Sequence, residues 1–128
     1  MDIRTHGNID PGLCGTALET ADGRSRVRFT ARPDMAVDDR GLVHGGFVFG
    51  LADYAAMIAV NDPNVVLGGA EVRFLKPVRV GEELVAEAAV ESVAGRKRQV
   101  PVTVRRDGEA VLEGRFTCFV LDRHVLDA

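Results

Sequence analysis

The chain has 128 residues, a formal net charge of −3, and 46% hydrophobic against 27% charged residues. This length suffices for one domain with a hydrophobic core, and the slightly acidic balance excludes a general electrostatic attraction to nucleic acid. The two cysteines have no metal-binding spacing, so we predict no metal site, and free thiols are favoured over a disulfide between them. The first residues lack the basic and apolar regions of a signal peptide, which predicts a cytoplasmic protein.

The pattern predicts one domain over residues 1–128, with an irregular lead-in over 1–12 and a tail over 122–128. Asp22 and Gly23 form a tight-turn signal, so residues 14–20 and 24–31 are predicted to pair as a β-hairpin. Residues 33–43 are polar and rich in aspartate, which predicts a loop that leads into the next element.

Residues 45–60 are the most apolar stretch of the chain and predict one long buried helix. They contain no proline, carry apolar side chains on every side, and include a single charged residue, Asp53. At about 1.5 Å per residue this helix is about 24 Å long, which is too short to span a membrane. The sequence Asn61-Asp-Pro-Asn predicts its end.

After the helix, apolar and polar residues alternate with the period of two that is typical of β-strands. The alternation predicts four strands, over residues 65–75, 83–91, 99–105 and 110–121. In the first of them one face is predicted to hold Val66, Gly68, Ala70, Val72 and Phe74. Pro101 predicts a bulge or an unpaired position. The order predicts an α+β domain, in which an antiparallel curved sheet of about six strands wraps round one long central helix.

Asp53 is the first candidate catalytic residue. A carboxylate is costly inside an apolar helix, so its presence indicates either a function or a neutralising partner. Arg73 and Lys76 are available as such partners, and the structural interpretation is a carboxylate held in an ion pair. The functional interpretation is a carboxylate kept at this position for chemistry.

The segment His44-Gly45-Gly46 is the second candidate, at the predicted start of the helix. The first backbone N–H groups of a helix have no intrahelical partner, and glycine lets a ligand approach the backbone closely. These groups, with the positive end of the helix dipole, can polarise an oxygen atom. The alternative is a flexible cap without a function.

The spacing of Gly45 and Asp53 sets a condition on any shared site. Eight residues of helix separate them by about 12 Å along the axis. A carbonyl polarised at Gly45 therefore lies out of reach of Asp53 on the same helix. If both act on one carbonyl carbon, Asp53 must come from a second subunit whose helix runs antiparallel, as in a two-fold dimer.

A basic cluster, Arg96-Lys97-Arg98, follows Gly95 in a predicted turn, and Arg105 and Arg106 come shortly after it. One interpretation is a solvated hairpin end. The other is a clamp for the phosphates of a charged ligand.

The stretch from His44 to Asp53, a His-Gly-Gly, a short apolar run and an Ala-Asp, resembles the hotdog-fold acyl-CoA thioesterases. Within them it is similar to the phenylacetyl-CoA-pathway branch. The resemblance covers roughly residues 13–121, including the segment 70–82. It implies a hotdog fold, hydrolysis of an acyl-CoA to a free acid and CoA, and a homodimer that pairs into a tetramer. It implies no cofactor, since CoA is part of the substrate.

The resemblance also implies roles for individual residues. Gly45 would donate its N–H to the thioester oxygen, and Asp53 of the partner subunit would be the nucleophile or the general base. His44 and Gly46 would lie beside the substrate at the helix start. Asp38 occupies a position, six residues before the histidine, where the family often has asparagine. The residues implied to lie near the CoA phosphates are Arg96, Lys97 and Arg98.

Two other classes compete with this interpretation. Segments 71–74, 81–87 and 114–116 also resemble the effector domain of the bacterial repressor that senses malonyl-CoA. That resemblance implies a module that binds acyl-CoA without hydrolysing it, and such a module has no need of Asp53. The hotdog hydratases pair an aspartate with a histidine five residues later, where this chain has Ile58.

Overall fold

The computed structural model describes residues 1–127 and contains an antiparallel seven-stranded sheet and one long helix. The helices are α1 (Pro11–Cys14) and α2 (Gly45–Val60). The strands are β1 (Thr16–Ala21), β2 (Arg24–Thr30), β3 (Val65–Phe74), β4 (Glu83–Ala89), β5 (Ser92–Ala94), β6 (Lys97–Arg106) and β7 (Glu109–Val120). Short 3-10 turns cover Pro33–Met35 and Val125–Asp127. No helix within residues 1–127 is long and apolar enough to cross a membrane.

The hotdog architecture predicted from the sequence is confirmed. The strand order is β1-β2-β4-β6-β7-β3, and the sheet packs round α2, which begins and ends at the predicted residues. The core between them contains fully buried residues of both layers: Val27, Leu51, Ala55, Ile58, Leu84, Val104 and Phe116. The helix is buried on most of its surface because the curved sheet surrounds it, as its composition predicts.

The two ends of the chain contain more structure than predicted. The predicted lead-in and first strand meet at α1, whose N-cap Asp10 accepts a hydrogen bond from Gly12 N at 2.9 Å. The predicted tail includes the turn at Val125–Asp127. The lead-in is fastened to the end of α2 by Asn61, whose side chain accepts from Arg4 N and donates to the Asp2 carbonyl, both at 2.7 Å.

The sheet has seven strands instead of about six because of β5, which the alternation did not predict. This strand has only three residues, all exposed, so it carries no apolar face. It pairs with β6 where β4 has ended. Pro101 lies at that change of partner, between Val102, which pairs with β4, and Gln99, which pairs with β5. On its other side Pro101 keeps its register opposite Arg115 of β7, so the predicted bulge does not form there, whereas the alternative of an unpaired position is met on the edge where neither β4 nor β5 pairs with it.

The predicted face of β3 is wrong in its first half. A bulge between Leu67 and Gly69 shifts the register with β7, so Leu67 lies opposite the buried Cys118. Ala70, which lies opposite the buried Phe116, and the following alternate residues keep the predicted face. The bulged position accepts only glycine in this packing, because a Cβ at Gly68 would collide with the ring of Phe119.

The two edges of the sheet differ. The outer edge of β1 is covered by the N-terminus, where the Met1 amino group donates to the Thr20 carbonyl and Thr20 Oγ1 donates to the Met1 carbonyl. The outer edge of β3 has no neighbouring strand within residues 1–127. This ten-residue edge strand ends in Phe74, which is 55% exposed. A long uncovered edge with exposed apolar residues favours pairing with another chain.

Candidate active site

His44 fixes the start of α2. It has extended backbone angles (φ −60°, ψ 129°), and its Nδ1 accepts a hydrogen bond from Gly46 N at 2.8 Å. Its carbonyl accepts from Phe47 N at 3.1 Å. Because Nδ1 is an acceptor, the proton of the neutral ring is on Nε2. His44 therefore acts as the N-cap of the helix.

Gly45 is the residue whose N–H group remains free at this helix start. The amides of Gly46 and Phe47 are occupied by His44, whereas Gly45 N has no hydrogen-bond partner within residues 1–127. Unpaired N–H groups at a helix N-terminus, with the dipole behind them, favour a partial negative charge on a ligand. The Gly45 amide is thus a ready donor to a carbonyl oxygen.

The backbone at Gly45 faces a groove of about 320 Å³. Its walls are mostly apolar and are formed by Val43, Gly45, Val48, Phe74, Leu75, Lys76, Pro77, Val78 and Val111. A Cβ at Gly45 would lie 3.2 Å from Phe74 Cε1, and a Cβ at Gly46 would lie 2.8 Å from His44 Nδ1. Gly45 therefore leaves room for a ligand beside Phe74, and Gly46 leaves room for the capping histidine.

Asp53 is a half-buried carboxylate without a partner. Its Oδ1 is inaccessible to solvent and makes no hydrogen bond, and no salt bridge within residues 1–127 includes it. Neither Arg73 nor Lys76, the candidate partners, neutralises it. Burial raises the pKa of Asp53 from 3.8 to about 6. An unneutralised carboxylate with a pKa close to the working pH is suited to general-base or nucleophilic chemistry.

Two thiols lie near Asp53. Cys14 and Cys118 are both free and buried. Burial raises the pKa of Cys14 to about 11, with further contributions from the charges of Asp10 and Asp53. Burial, with the charge of Asp53, raises the pKa of Cys118 to about 12. Both thiols stay protonated at neutral pH and are poor nucleophiles, so neither competes with Asp53 as the candidate reactive group of this region.

The structure brings His44, Gly45 and Gly46 together and leaves Asp53 apart from them. Gly45 and Asp53 are eight residues apart in the continuous helix α2, which corresponds to about 12 Å along its axis. The neighbours also differ, since Phe74 at the end of β3 flanks Gly45, whereas Cys118, opposite Leu67 near the beginning of β3, lies by Asp53.

Asp38 lies in the loop before α2 and holds that loop in shape. Its Oδ1 accepts hydrogen bonds from Arg40 N at 3.0 Å and from Leu42 N at 3.2 Å. Asp38 also lines a second groove, which borders the first at Pro77. One carboxylate oxygen of Asp38 is therefore occupied by the backbone.

The cluster Arg96-Lys97-Arg98 lies at the opposite end of the sheet. The Arg96 carbonyl accepts from Val120 N at 2.8 Å, whereas Val111, at the other end of β7, lines the groove at Gly45. Nine residues of strand separate these points by about 30 Å. Arg96 is paired with Asp122, and Arg98 Nη1 donates to the Gly95 carbonyl at 2.7 Å.

Arg40 and Arg79, which were not among the predicted site residues, line the groove beside Pro77. An isolated antiparallel β-bridge pairs Leu42 with Arg79, and Val43 N donates to the Val78 carbonyl at 2.9 Å. This pairing joins segments that are far apart in the chain, and no local pattern predicts it. The one signal in the sequence was that two cationic residues, Lys76 and Arg79, flank the apolar pair Pro77-Val78.

Comparison with known proteins identifies the family. The model of the thioesterase superfamily matches residues 40–113, which is more than half of the chain. The chain therefore belongs to the thioesterase superfamily, and the resemblance of the stretch from His44 to Asp53 is confirmed. Membership supports hydrolase activity in general, and it leaves the residues and the substrate to be assigned.

Two solved structures are similar over most of their length. An uncharacterized protein from Pyrococcus horikoshii is 53% identical, with a TM-score of 0.98 over 99% of this chain and 98% of that one. A single-residue mutant of the phenylacetic acid degradation protein PaaI from Thermus thermophilus is 29% identical. Its TM-score is 0.78, over 85% of this chain and 95% of that one.

Two curated relatives carry different names. A methylthioribose-1-phosphate isomerase from Aquifex aeolicus is 49% identical over 95% of this chain, and the chain spans only 27% of that protein. A transcription factor FapR from Shouchella clausii is 30% identical over 71% of this chain and 48% of its own length. The chain thus spans less than half of either relative.

Proposed function

We propose that this protein is an acyl-CoA thioesterase, which hydrolyses a thioester to a free acid and CoA. The observation that supports it most is the combination of a free Gly45 N–H beside an apolar groove with an unpaired, half-buried Asp53. A donor for an oxyanion and an activated carboxylate are the two groups that acyl transfer to water needs. The general test is release of thiol from a panel of acyl-CoAs.

A second subunit is needed to combine these groups. The 12 Å between Gly45 and Asp53 on one helix, at about 1.5 Å per residue, is much longer than the distance between an oxyanion donor and a nucleophile that act on one carbonyl. Two-fold symmetry with antiparallel helices brings Asp53 of one chain towards Gly45 of the other, and produces two equal sites.

The open edge of β3 supports such a dimer. If two copies of β3 pair antiparallel across a two-fold axis, the beginning of each strand lies beside the end of the other. Asp53 is near the beginning of β3, through Cys118 and Leu67, and Gly45 is near its end, beside Phe74. This pairing would therefore bring Asp53 of one chain to the groove of its partner. Cytoplasmic location and pairing of dimers into tetramers stay predictions.

In the proposed reaction the thioester oxygen accepts the Gly45 N–H, which stabilises the negative charge that develops on it. The ionised Asp53 either attacks the carbonyl carbon or removes a proton from the attacking water. In the first route CoA leaves as the thiolate and water then hydrolyses the mixed anhydride. In the second route water adds directly and CoA leaves afterwards. His44 and Gly46 shape the helix start at which the substrate binds.

Asp38 and the cluster Arg96-Lys97-Arg98 stay predicted binding residues. Asp38 would act mainly by holding the loop beside the groove, since its Oδ1 is bound by backbone N–H groups. Because the cluster is about 30 Å of strand away from the groove of its own chain, it would reach only a CoA bound to the partner's Gly45.

Mixing two inactive variants tests the shared site. Asp53→Asn and Gly45→Pro each remove one half of it. In a mixed dimer one site combines the intact Gly45 of the first variant with the intact Asp53 of the second. After unfolding and refolding an equimolar mixture, we expect about a quarter of wild-type activity, because half of the dimers are mixed and each has one intact site. Recovery of nothing, with mixed dimers shown by mass spectrometry, would place each site within one chain.

The pH dependence of kcat/KM tests the state of Asp53. Both routes need the ionised carboxylate, and its pKa is raised to about 6 by burial. We therefore expect activity to fall as the pH decreases through about 6, with a limb that corresponds to one proton. Circular dichroism at each pH serves as the control for folding. A limb at about pH 4, where an ordinary carboxyl titrates, would contradict the assignment.

The alternative function is a non-catalytic acyl-CoA-binding module. The observation that favours it is the similarity to the FapR transcription factor over 71% of the chain. Thermal shift with the same panel of acyl-CoAs separates the two. Stabilisation by one acyl-CoA without any thiol release would support the binding module and contradict the thioesterase.

A further inference from the structure

A second groove continues the one at Gly45. It has a volume of about 490 Å³ and is lined by Asp38, Arg40, Leu42, Pro77 and Arg79. Pro77 lines both grooves. Leu42 lines the second groove, and its neighbour in the chain, Val43, lines the groove at Gly45. The two grooves therefore form one path that leads from the free Gly45 amide across Pro77 to two arginines.

The loop before α2, residues 33–43, pairs with the extended segment 78–80, and this pairing keeps the path short. Leu42 pairs with Arg79, and Val80 N donates to the Gly41 carbonyl at 2.9 Å. Paired Cα atoms lie about 5 Å apart, and the three residue steps from Leu42 to Gly45 add at most about 11 Å, which together make about 16 Å. The backbone of Arg79 is therefore within that distance of Gly45.

The charges of this second groove are available to a ligand. Within residues 1–127, neither the Arg40 nor the Arg79 side chain makes a salt bridge or a hydrogen bond. Arg105 and Arg115, on the exposed face of the sheet, both have glutamate partners. The one acid of the groove, Asp38, has an oxygen that is already bound by two backbone amides.

The order of chemical features along the path matches one kind of molecule: a carbonyl that meets a backbone donor, an arm along an apolar channel, and an anionic end. We infer that Arg40 and Arg79 bind the phosphates of the CoA whose thioester lies at Gly45 of the same chain. Guanidinium groups suit phosphate because they donate paired hydrogen bonds and keep their charge. This inference rests on the proposed function and adds the part of the substrate that the chain recognises.

Binding of the CoA part of the substrate should depend on these two arginines, whereas binding of the acyl part should not. Binding of free CoA, measured by calorimetry, should weaken about 10-fold in Arg40→Gln and in Arg79→Gln, and about 100-fold in the double variant. Arg28→Gln, an exposed arginine on β2 outside the path, removes the same charge and should leave binding unchanged. Arg98→Gln tests in the same assay whether the distant cluster Arg96-Lys97-Arg98 contributes to CoA binding.

Kinetics supply a second readout. For an acyl-CoA that the wild type hydrolyses, the double variant should raise KM with little change in kcat. For the same acyl group on pantetheine, which lacks the phosphates, wild type and double variant should have equal kcat/KM. Equal losses on both substrates would overturn the inference, because they would indicate a general structural role.

These outcomes separate the inference from the proposed function. If wild type binds CoA through Arg40 and Arg79 but releases no thiol, the inference holds and the catalytic proposal fails. If thiol is released but CoA binding is weakened by Arg98→Gln and not by the double variant, the inference is overturned and the thioesterase proposal stands.

Discussion

Asp53→Asn is expected to lower the rate of thiol release by at least about 100-fold, while the protein becomes more stable. The loss follows because asparagine neither attacks a carbonyl nor accepts a proton from water, whichever of the two routes operates. Asparagine has nearly the same shape, so the helix and its packing stay as they are. Thiol release under saturating substrate measures the effect on kcat.

The gain in stability follows from the burial of an unpaired charge. Burial raises the pKa of Asp53 from 3.8 to about 6, so the folded chain binds the proton more tightly than the unfolded chain. Between these values the free energy of unfolding therefore falls as the pH rises, and above about pH 6 the ionised group costs about 3 kcal/mol. Asp53→Asn removes this cost, so its melting temperature should exceed that of wild type at pH 8 and approach it at pH 4.

The exposed Asp39 provides the matched control for this variant. Asp39→Asn removes the same formal charge and should change neither the rate nor the melting temperature. A fall in melting temperature for Asp53→Asn at pH 8 would show that the carboxylate has a stabilising partner, which another chain would have to provide. Unchanged thiol release would exclude Asp53 from the reaction.

Gly45→Pro is expected to lower kcat by about 100- to 1000-fold, because it removes the N–H that stabilises the oxyanion. Proline is well tolerated at the first position of a helix, and His44 already has the extended backbone angles that a following proline needs. The helix should therefore form normally, which circular dichroism and the oligomeric state can verify.

Gly45→Ala is the control for the added side chain. Both variants carry a Cβ that lies about 3.2 Å from Phe74 Cε1, and alanine keeps the N–H. Phe74 is 55% exposed and has room to move, so the alanine variant should retain most of the activity. If both variants lose activity equally, the space beside Phe74 matters and the N–H does not.

Much of the fold follows from local patterns. The bounds of α2 agree with prediction because an apolar helix between His44 and a breaker at Asn61 has strong signals at both ends. The hairpin at Gly23 and the unpaired edge at Pro101 are likewise local, since each depends on one residue and its backbone. The α+β class followed because one long helix and several alternating strands have few ways to bury their apolar faces together.

Other features could not be predicted in this way. The three residues of β5 have no apolar face, so their pairing depends only on the neighbouring strand. The bulge at Gly68 reverses the faces at the beginning of β3, and the ring of Phe119, which belongs to β7, leaves room only for glycine there. In both cases the deciding contact comes from a distant part of the chain.

Gly45 and Asp53 could be identified as the two candidate groups from the sequence alone. The distance between them could also be predicted, since helix geometry converts residue number directly into distance. Their environments could not: the free Gly45 N–H beside a groove and the buried, unpartnered Asp53 are products of the folded chain. Folding also brought Arg79 to the loop that carries Arg40. The physical reason is that burial, pKa and groove shape depend on contacts between distant segments, which packing alone creates.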